Sequence, residues 1–441
     1  MKRSIENYFL KWKMEKDRRP LLVRGARQIG KSFTINKFGK ENFRNHIEIN
    51  FEFRPEFKSI FQTLDPQEIL RKINLMLNVK IHSGEDLLFL DEIQECPQAI
   101  GSLRYFYEKM PELHVIAAGS LLEFSLSSGL FEVPVGRIQY LYMNPLSFDE
   151  FLEAIGELDF MEYLRNLNVK KVIDEALHQK GLKLLRDYLV IGGMPAALKS
   201  YVCEKESGNY QRMQLLLLQT YRDDFGKYAN KVKHLYLQKV FARAPFMVGE
   251  HYKYVNVDRE IPSRELKEAL HLLTQAGVIS KICATSGHGL PFSVHSNENK
   301  FKILFLDGGL LQRSCGLDVE LGLTDDFLAV NSGSLAEQFV GQELIAYGEP
   351  YERGDLYFWK REKIGSNAEV DYLVRAGSQI VPIEVKSGVT GKLKSLKLFM
   401  GAHSSKLGVR FSQLPLSFHE KILSLPLYAV QAMPKLMREL L

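Results

Sequence analysis

Short apolar runs separated by polar stretches of helical length dominate the first third of the chain. Leu21-Leu22-Val23, Ile47-Glu48-Ile49-Asn50-Phe51, Leu87-Leu88-Phe89-Leu90 and His114-Val115-Ile116-Ala117-Ala118 each have the length of a strand. The unbroken apolar run before Asp91 fits a strand buried on both faces, as in a parallel sheet. Helical stretches intervene, from Phe33 to Phe38 and from Ile100 to Met110. A further segment, Gly136 to Tyr142, leads into Pro145-Leu146-Ser147-Phe148. There Ser147 is placed to cap a helix whose first turn carries Asp149 and Glu150. This alternation predicts an α/β domain over residues 1–155. Ahead of its first strand, Met1 to Arg19 reads as a polar amphipathic helix, with Tyr8, Phe9, Leu10 and Trp12 as its apolar part.

The pattern then turns helical. Leu182, Leu185 and Leu189 recur at helical spacing until Gly192-Gly193-Met194-Pro195 breaks the run, and Met213 to Tyr228 forms a second stretch. Residues 156–235 are therefore expected to form a helical lid. Over residues 236–330, Ser263 is placed to cap a helix that Leu266, Ala269, Leu270 and Leu273 line on one face and Gly277 ends. Strand candidates Val278 to Cys283 and Phe301 to Leu306 follow, which predicts a winged-helix-like unit. In residues 331–441 a helix from Leu335 to Tyr347 precedes strands Leu356 to Trp359, Val370 to Val374 and Ile380 to Val385. A helix-like stretch, Val430 to Leu441, ends the chain.

Composition narrows the class. A chain of 441 residues exceeds one ordinary core and predicts two to four domains. With 45% hydrophobic and 25% charged residues it reads as globular, and no apolar run reaches the length of a membrane span. The net charge of +5 permits nucleic-acid binding without demanding it. The basic N-terminus lacks the apolar core of a secretory signal. The four cysteines, Cys96, Cys203, Cys283 and Cys315, are scattered, so neither a zinc site nor a disulfide framework is expected. A reducing cytoplasm is the expected location.

Chemistry enters at Gly25-Ala26-Arg27-Gln28-Ile29-Gly30-Lys31-Ser32, which fits G-x-x-x-x-G-K-[ST] between a strand and a helix that opens at Phe33. Backbone N–H groups and the positive end of that helix suit phosphate, and the two glycines permit backbone shapes that a side chain would block. Residues Gly25 to Phe33 are the candidate ATP-binding segment. Lys31 would face the β- and γ-phosphates and Ser32 would hold Mg²⁺. Asp91 and Glu92 follow a buried strand, at the end where open α/β sheets bind ligands. Asp91 is the second Mg²⁺ candidate and Glu92 the group that polarises the attacking water. Ser120, after the next strand, is the candidate γ-phosphate sensor.

A second constellation lies near the C-terminus. Twelve residues separate Asp371 from Glu384 in Glu384-Val385-Lys386, the spacing of a PD-(D/E)xK nuclease core. Strand alternation puts Glu384 and Lys386 on one face. Asp371 and Glu384 would hold Mg²⁺, Lys386 would assist the water, and Glu337 on the preceding helix is the fourth member. Lys386, Lys392, Lys394 and Lys397 suit phosphate contact and equally suit a solvated basic face.

Together these segments resemble a prokaryotic family of AAA-type P-loop ATPases with a C-terminal DUF4143 region. The resemblance rests on Arg24 to Ser32, Leu90-Asp-Glu-Ile-Gln94, Ala118-Gly-Ser-Leu-Leu122, Pro145 to Phe148 and Gly192 to Pro195. It continues through Asp307-Gly-Gly-Leu-Leu311, Glu337-Gln-Phe-Val-Gly-Gln-Glu-Leu344, Glu369-Val-Asp371 and Ile383-Glu-Val-Lys-Ser387. It implies an AAA core, a winged-helix-like middle and a restriction-endonuclease-like C-terminal α/β domain. It also implies a basic position at Arg137 that contacts the γ-phosphate, in cis or from a neighbouring subunit. The expected function is Mg²⁺-dependent ATP hydrolysis that regulates how the C-terminal half engages DNA or a protein partner. The alternatives are an ATP-regulated metal-dependent DNA nuclease and a non-catalytic ATP-dependent switch that binds a protein.

Overall fold

The structure, a computed structural model, describes residues 1–119, 136–203, 208–227, 231–317, 333–362, 365, 367–387 and 393–441. The chain divides into two compact units. The first comprises Met1–Asn144 with the short segments Gln275–Gly277 and Glu349–Arg353, and the second comprises the remainder.

Five parallel strands build the first unit: β1 (Leu21–Arg24), β2 (His46–Asn50), β3 (Leu87–Asp91), β4 (His114–Ala118) and β5 (Gln139–Tyr142). Their order is β2-β3-β4-β1-β5. Every residue of β3 and β4 is buried, as their unbroken apolar runs require of inner parallel strands. Helices α1 (Glu6–Met14), α2 (Lys31–Asn42), α3 (Pro66–Leu77) and α4 (Pro97–Lys109) complete the unit. The buried face of α1 is Phe9 and Trp12, continued by Ile5, whereas Leu10 is exposed. The expected apolar part was thus misplaced at Leu10, because a spacing of three or four residues, rather than adjacency, selects a helix face. Phe9 packs on Phe38 of α2. The two inserted segments have definite roles: Tyr142 N–H donates to Pro350 O at 2.7 Å beside the edge strand β5, and Gly277 lies against Ala26.

The second unit holds one eight-stranded mixed sheet of order β12-β13-β11-β10-β9-β8-β6-β7. Its strands are β6 (Ile279–Thr285), β7 (Ser296–Phe305), β8 (Leu356–Lys360), β9 (Glu369–Ala376), β10 (Gln379–Val385), β11 (Gly408–Ser412), β12 (Ser417–His419) and β13 (Ile422–Pro426). The β6–β7 hairpin, expected as a wing of its own, joins the C-terminal strands because β6 pairs in parallel with β8. Leu266, Ala269, Leu270 and Leu273 are the buried stripe of the helix Ser263–Gln275. That helix begins at Ser263 itself, one residue earlier than expected, since Leu266 N–H donates to Pro262 O.

A buried polar network explains several of the resembling motifs in this unit. We number its helices onward as α5 (Phe148–Ile155), α6 (Glu175–Ile191), α7 (Gly308–Cys315) and α8 (Ser334–Ala346). Ser147 caps α5 as expected, and Glu150 reciprocates by accepting the Ser147 N–H. Both carboxylate oxygens of Glu343, on α8, accept the Phe148 N–H at 3.1 Å. Tyr188 of α6 donates to Leu146 O at 2.6 Å and accepts from Gln342 at 2.9 Å. Asp307 caps α7 through Leu310 N–H and also accepts Gly193 N–H. A side chain at Gly193 would lie 2.1 Å from Leu146 O, so this close approach admits only glycine. The Pro145–Phe148, Gly192–Gly193, Asp307–Gly309 and Gln338–Glu343 segments therefore tie α5 to α8 together, since buried polar groups must find partners.

Candidate functional site

The loop after β1 has the geometry its glycines predict. Gly25 sits at φ +140, where an added Cβ would lie 2.2 Å from Met143 O, and Gly30 at φ +91 opens α2. Lys31 is buried and its ammonium donates to Gly25 O at 2.9 Å and Ala26 O at 2.7 Å, folding the loop around it. Burial lowers its pKa to about 8, against the opposing pull of Glu92 and Asp91. Ala26 and Ile29 are buried and support the loop, Gln28 takes a left-handed backbone at φ +64, and Arg27 adds positive charge near Lys31. Phe33 is 64% exposed on the solvent side of α2. The loop is also held from the N-terminus: buried Arg3 donates to Ile29 O at 2.9 Å and to Asn144 O at 2.6 Å.

Two strands away, Asp91 ends β3 and meets the loop. Ser32 Oγ donates to Asp91 Oδ1 at 3.0 Å, and Asn50 Nδ2 donates to Asp91 Oδ2 at 3.0 Å. Burial, followed by the charge of Glu92, raises the Asp91 carboxyl to about 6. Glu92 adopts the left-handed conformation at φ +48, an uncommon one for a residue with a side chain, and Gln94 donates to its Oε2 at 2.7 Å. Ser32 and Asp91 fit a Mg²⁺ ion bound with nucleotide: both offer oxygen, and they converge. Ser120 lies outside the described residues. Arg137 is a correction to the cis role. It precedes β5, which pairs in parallel with β1, so about 13 Å of strand separates it from the loop end of the sheet. There it pairs with Glu108 at 2.9 Å, away from the loop that would hold the phosphates.

The C-terminal constellation is brought together as its spacing predicts. β9 and β10 form a hairpin across Gly377 and Ser378, with Tyr372 opposite Ile383. Asp371 Oδ2 accepts Val385 N–H at 2.8 Å, and Lys386 pairs with Glu384 at 2.5 Å. Lys302 of β7 changes the chemistry. Its side chain is 3% exposed, and its ammonium lies 2.6 Å from Glu369, 3.3 Å from Glu337 and 3.7 Å from Asp371. His251 lies 2.7 Å from the other Glu369 oxygen and 3.1 Å from Lys360. Burial raises Glu337 to about 8 and Glu384 to about 7, in each case with Asp371 adding to the rise. Burial would raise Glu369 as well, but hydrogen bonding to His251 and the charge of Lys302 bring it down to about 2. Among the described residues no group of three or more His, Cys, Asp or Glu side chains is arranged to hold a metal ion. A buried cation of the protein thus faces Glu337, Glu369 and Asp371, whereas Glu384 meets Lys386 through one oxygen and leaves Oε2 without a hydrogen-bond partner.

Three sequence families match in succession. An AAA domain matches residues 17–152, a domain of unknown function (DUF8612) matches 182–321, and a domain of unknown function (DUF4143) matches 332–429. The chain thus carries an AAA domain of P-loop type ahead of a C-terminal DUF4143 region. No curated protein matches it. Solved structures similar to the chain include the Aeropyrum pernix ORC1 protein in complex with DNA, at 12% identity over 73% of this chain and 94% of that one, with a TM-score of 0.28. The Aeropyrum pernix ORC2 protein in its ADPNP–ADP complexes matches at 14% identity over 73% and 93%, with a TM-score of 0.34. A point variant of Thermotoga maritima RuvB matches at 15% identity over 63% and 87%, with a TM-score of 0.28. Scores this low leave the assignment to the sequence families and the strand order. No helix among the described residues is long and apolar enough to cross a membrane.

Each of the two units contains residues that the motifs did not single out. Asn50 and Gln94, which hold Asp91 and Glu92, sit at a strand tip and inside the Leu90–Gln94 segment. The only sequence signal of Gln94 is nearness to the acidic pair, and that of Asn50, 41 residues before Asp91, is its place in the Ile47–Phe51 strand run. Arg3 carries none, since its partners Ile29 and Asn144 are remote in sequence. Lys302 had one: it interrupts an otherwise apolar run, Phe301-Lys302-Ile303-Leu304-Phe305, in a strand buried throughout that stretch.

Proposed function

We propose that this chain binds ATP with Mg²⁺ and hydrolyses it, and that its nucleotide state governs how its C-terminal half engages DNA or a protein partner. The hydrogen bond from Ser32 to Asp91 carries this reading. It joins the phosphate loop to the acidic strand tip, so the two side chains suited to Mg²⁺ stand 3.0 Å apart. Lys31 would exchange its loop carbonyls for the β- and γ-phosphates. Mg²⁺ bound with the nucleotide would supply charge neutralisation at the phosphate oxygens. Glu92, steadied by Gln94, would orient the attacking water and accept its proton. The left-handed backbone at Glu92 supports this, because strain of that kind collects where a side chain must be aimed.

Lys31→Ala is expected to weaken ATP binding in calorimetry, and an unchanged affinity would remove the loop from the mechanism. Glu92→Gln is expected to keep ATP binding and lose about 10²–10⁴-fold in turnover, and a rate within about twofold of the parent would sink the role of Glu92. Binding of labelled duplex DNA to the Glu92→Gln chain, with and without ATP and Mg²⁺, separates a DNA partner from a protein one. The rival reading as a metal-dependent nuclease requires a divalent cation in the region that Lys302 holds.

A further inference from the structure

We propose that Lys302 is the resident counter-ion of the Glu337–Glu369–Asp371 cluster, standing in for the divalent cation that the nuclease-like layout calls for, so that this cluster binds no metal. Three observations carry it. The first is position. The ammonium comes from β7, outside the Asp-hairpin-Glu-x-Lys motif, and is enclosed by carboxylates from α8 and β9. A lysine held this deep is seldom found without such pairing. The second is saturation. Asp371 gives one oxygen to Val385 N–H and turns the other to Lys302, and Glu369 is shared between Lys302 and His251. The oxygens of Asp371 and Glu369 are thus committed to donors, and in this cluster only Glu384 Oε2, outside the three acids that Lys302 meets, is buried without a partner. The third is charge. Four carboxylates, Glu337, Glu369, Asp371 and Glu384, are matched within the same group by Lys302, Lys386 and Lys360, with His251 beside them. A divalent ion added here would meet a cluster that is already close to neutral, and its own charge would be repelled by the ammonium.

The consequence concerns function as well as stability. Metal-assisted hydrolysis of a phosphodiester is not available to this cluster while Lys302 stays in place. Lys302 also sits 5.5 Å from the ring centre of Phe358, so its charge is held from the aromatic side as well as by the acids. The same layout predicts what its removal would do. Without the ammonium, Glu337, Glu369 and Asp371 become an uncompensated set of oxygen donors, which is the kind of ligand Mg²⁺ and Mn²⁺ prefer.

The test uses Mn²⁺ alone as the probe, with the full chain free of nucleotide, counting bound ion by electron paramagnetic resonance. The native chain and Asp371→Asn with Glu384→Gln are expected to bind the same amount of Mn²⁺ and to show the same Mn²⁺-induced shift in melting temperature. Lys302→Met is expected to gain one Mn²⁺ over the native chain and to lose it again when Asp371→Asn is added. Any ion at the ATP site is common to all four chains and cancels. If the native chain binds Mn²⁺ and the double carboxylate variant does not, the proposal is overturned. A folded Lys302→Met chain that gains no ion overturns it too. Should Lys302→Met fail to fold, the comparison of the native chain with the double carboxylate variant decides the matter without it.

Discussion

Gly25→Ala is the sharpest probe of the phosphate loop, because the structure separates its two costs. The residue sits at φ +140, and a methyl group there would stand 2.2 Å from Met143 O and 2.7 Å from Ile29 Cδ1. Met143 cannot simply retreat, since its N–H is bonded to Arg24 O at 2.8 Å beside the β1–β5 pairing. Backbone strain of this kind costs about 1–3 kcal/mol. Breaking the Met143 bond to relieve the clash would cost about 1 kcal/mol more. The expected loss of about 2–4 kcal/mol is a large share of the roughly 5–15 kcal/mol that holds a domain folded. Gly84 supplies the control: it also has positive φ, at +86, but nothing lies within 4 Å of an added methyl. Gly84→Ala should therefore cost only the conformational part, about 1–2 kcal/mol. Urea unfolding of both variants measures the difference. Calorimetry with ATP should show Gly25→Ala weakened by at least about tenfold, since a shift of about 1.4 kcal/mol in the cradle suffices. Equal unfolding midpoints for the two variants, with ATP affinity unchanged in Gly25→Ala, would refute the argument that the methyl collides with Met143.

Two further outcomes are expected. Asn50→Ala removes the donor to Asp91 Oδ2 and the acceptor of the Glu52 and Phe53 N–H groups. The Mg²⁺ concentration giving half-maximal ATPase should rise several-fold, and an unchanged Mg²⁺ requirement would show that Asn50 does not position Asp91. Burial raises Glu343 from 4.5 to about 8, against the Tyr347 hydroxyl and Phe148 N–H that favour its charged form. A raised carboxyl lends stability that is complete below its unfolded pKa and is lost as pH rises through the folded one. Glu343→Gln should therefore gain on the native chain as pH rises from about 4.5 through about 8. Parallel stability profiles of the two chains across that window would contradict this.

The local pattern was enough to mark the candidate ATP site. A phosphate loop is made of residues adjacent in sequence, so Gly25 to Ser32 could be read directly. Asp91 and Glu92 were legible because an apolar strand run ends on them. The strands β1 to β4 were equally plain, since a parallel sheet demands unbroken apolar runs. The short strands β11 and β13 were not marked, nor was the edge strand β12, because runs of three to five residues carry no period strong enough to distinguish them. The hairpin of Asp371 and Glu384 also followed from spacing alone, because a two-residue turn sets the register of its strands.

What tertiary structure decided was everything that depends on residues far apart in sequence. The parallel pairing of β5 with β1 carries Arg137 to the end of the sheet away from the phosphate loop, which no local pattern encodes. The pairing of β6 with β8 merges the hairpin of the middle region with the C-terminal sheet. The same assembly brings Lys302 to Glu337, Glu369 and Asp371, turning a metal-like arrangement of acids into one with a cation of its own. Sequence determines which chemistry each segment can offer, because side-chain type and local period are written along the chain. Which charges meet is settled only when burial forces distant segments to share a core and each buried charge to find its opposite.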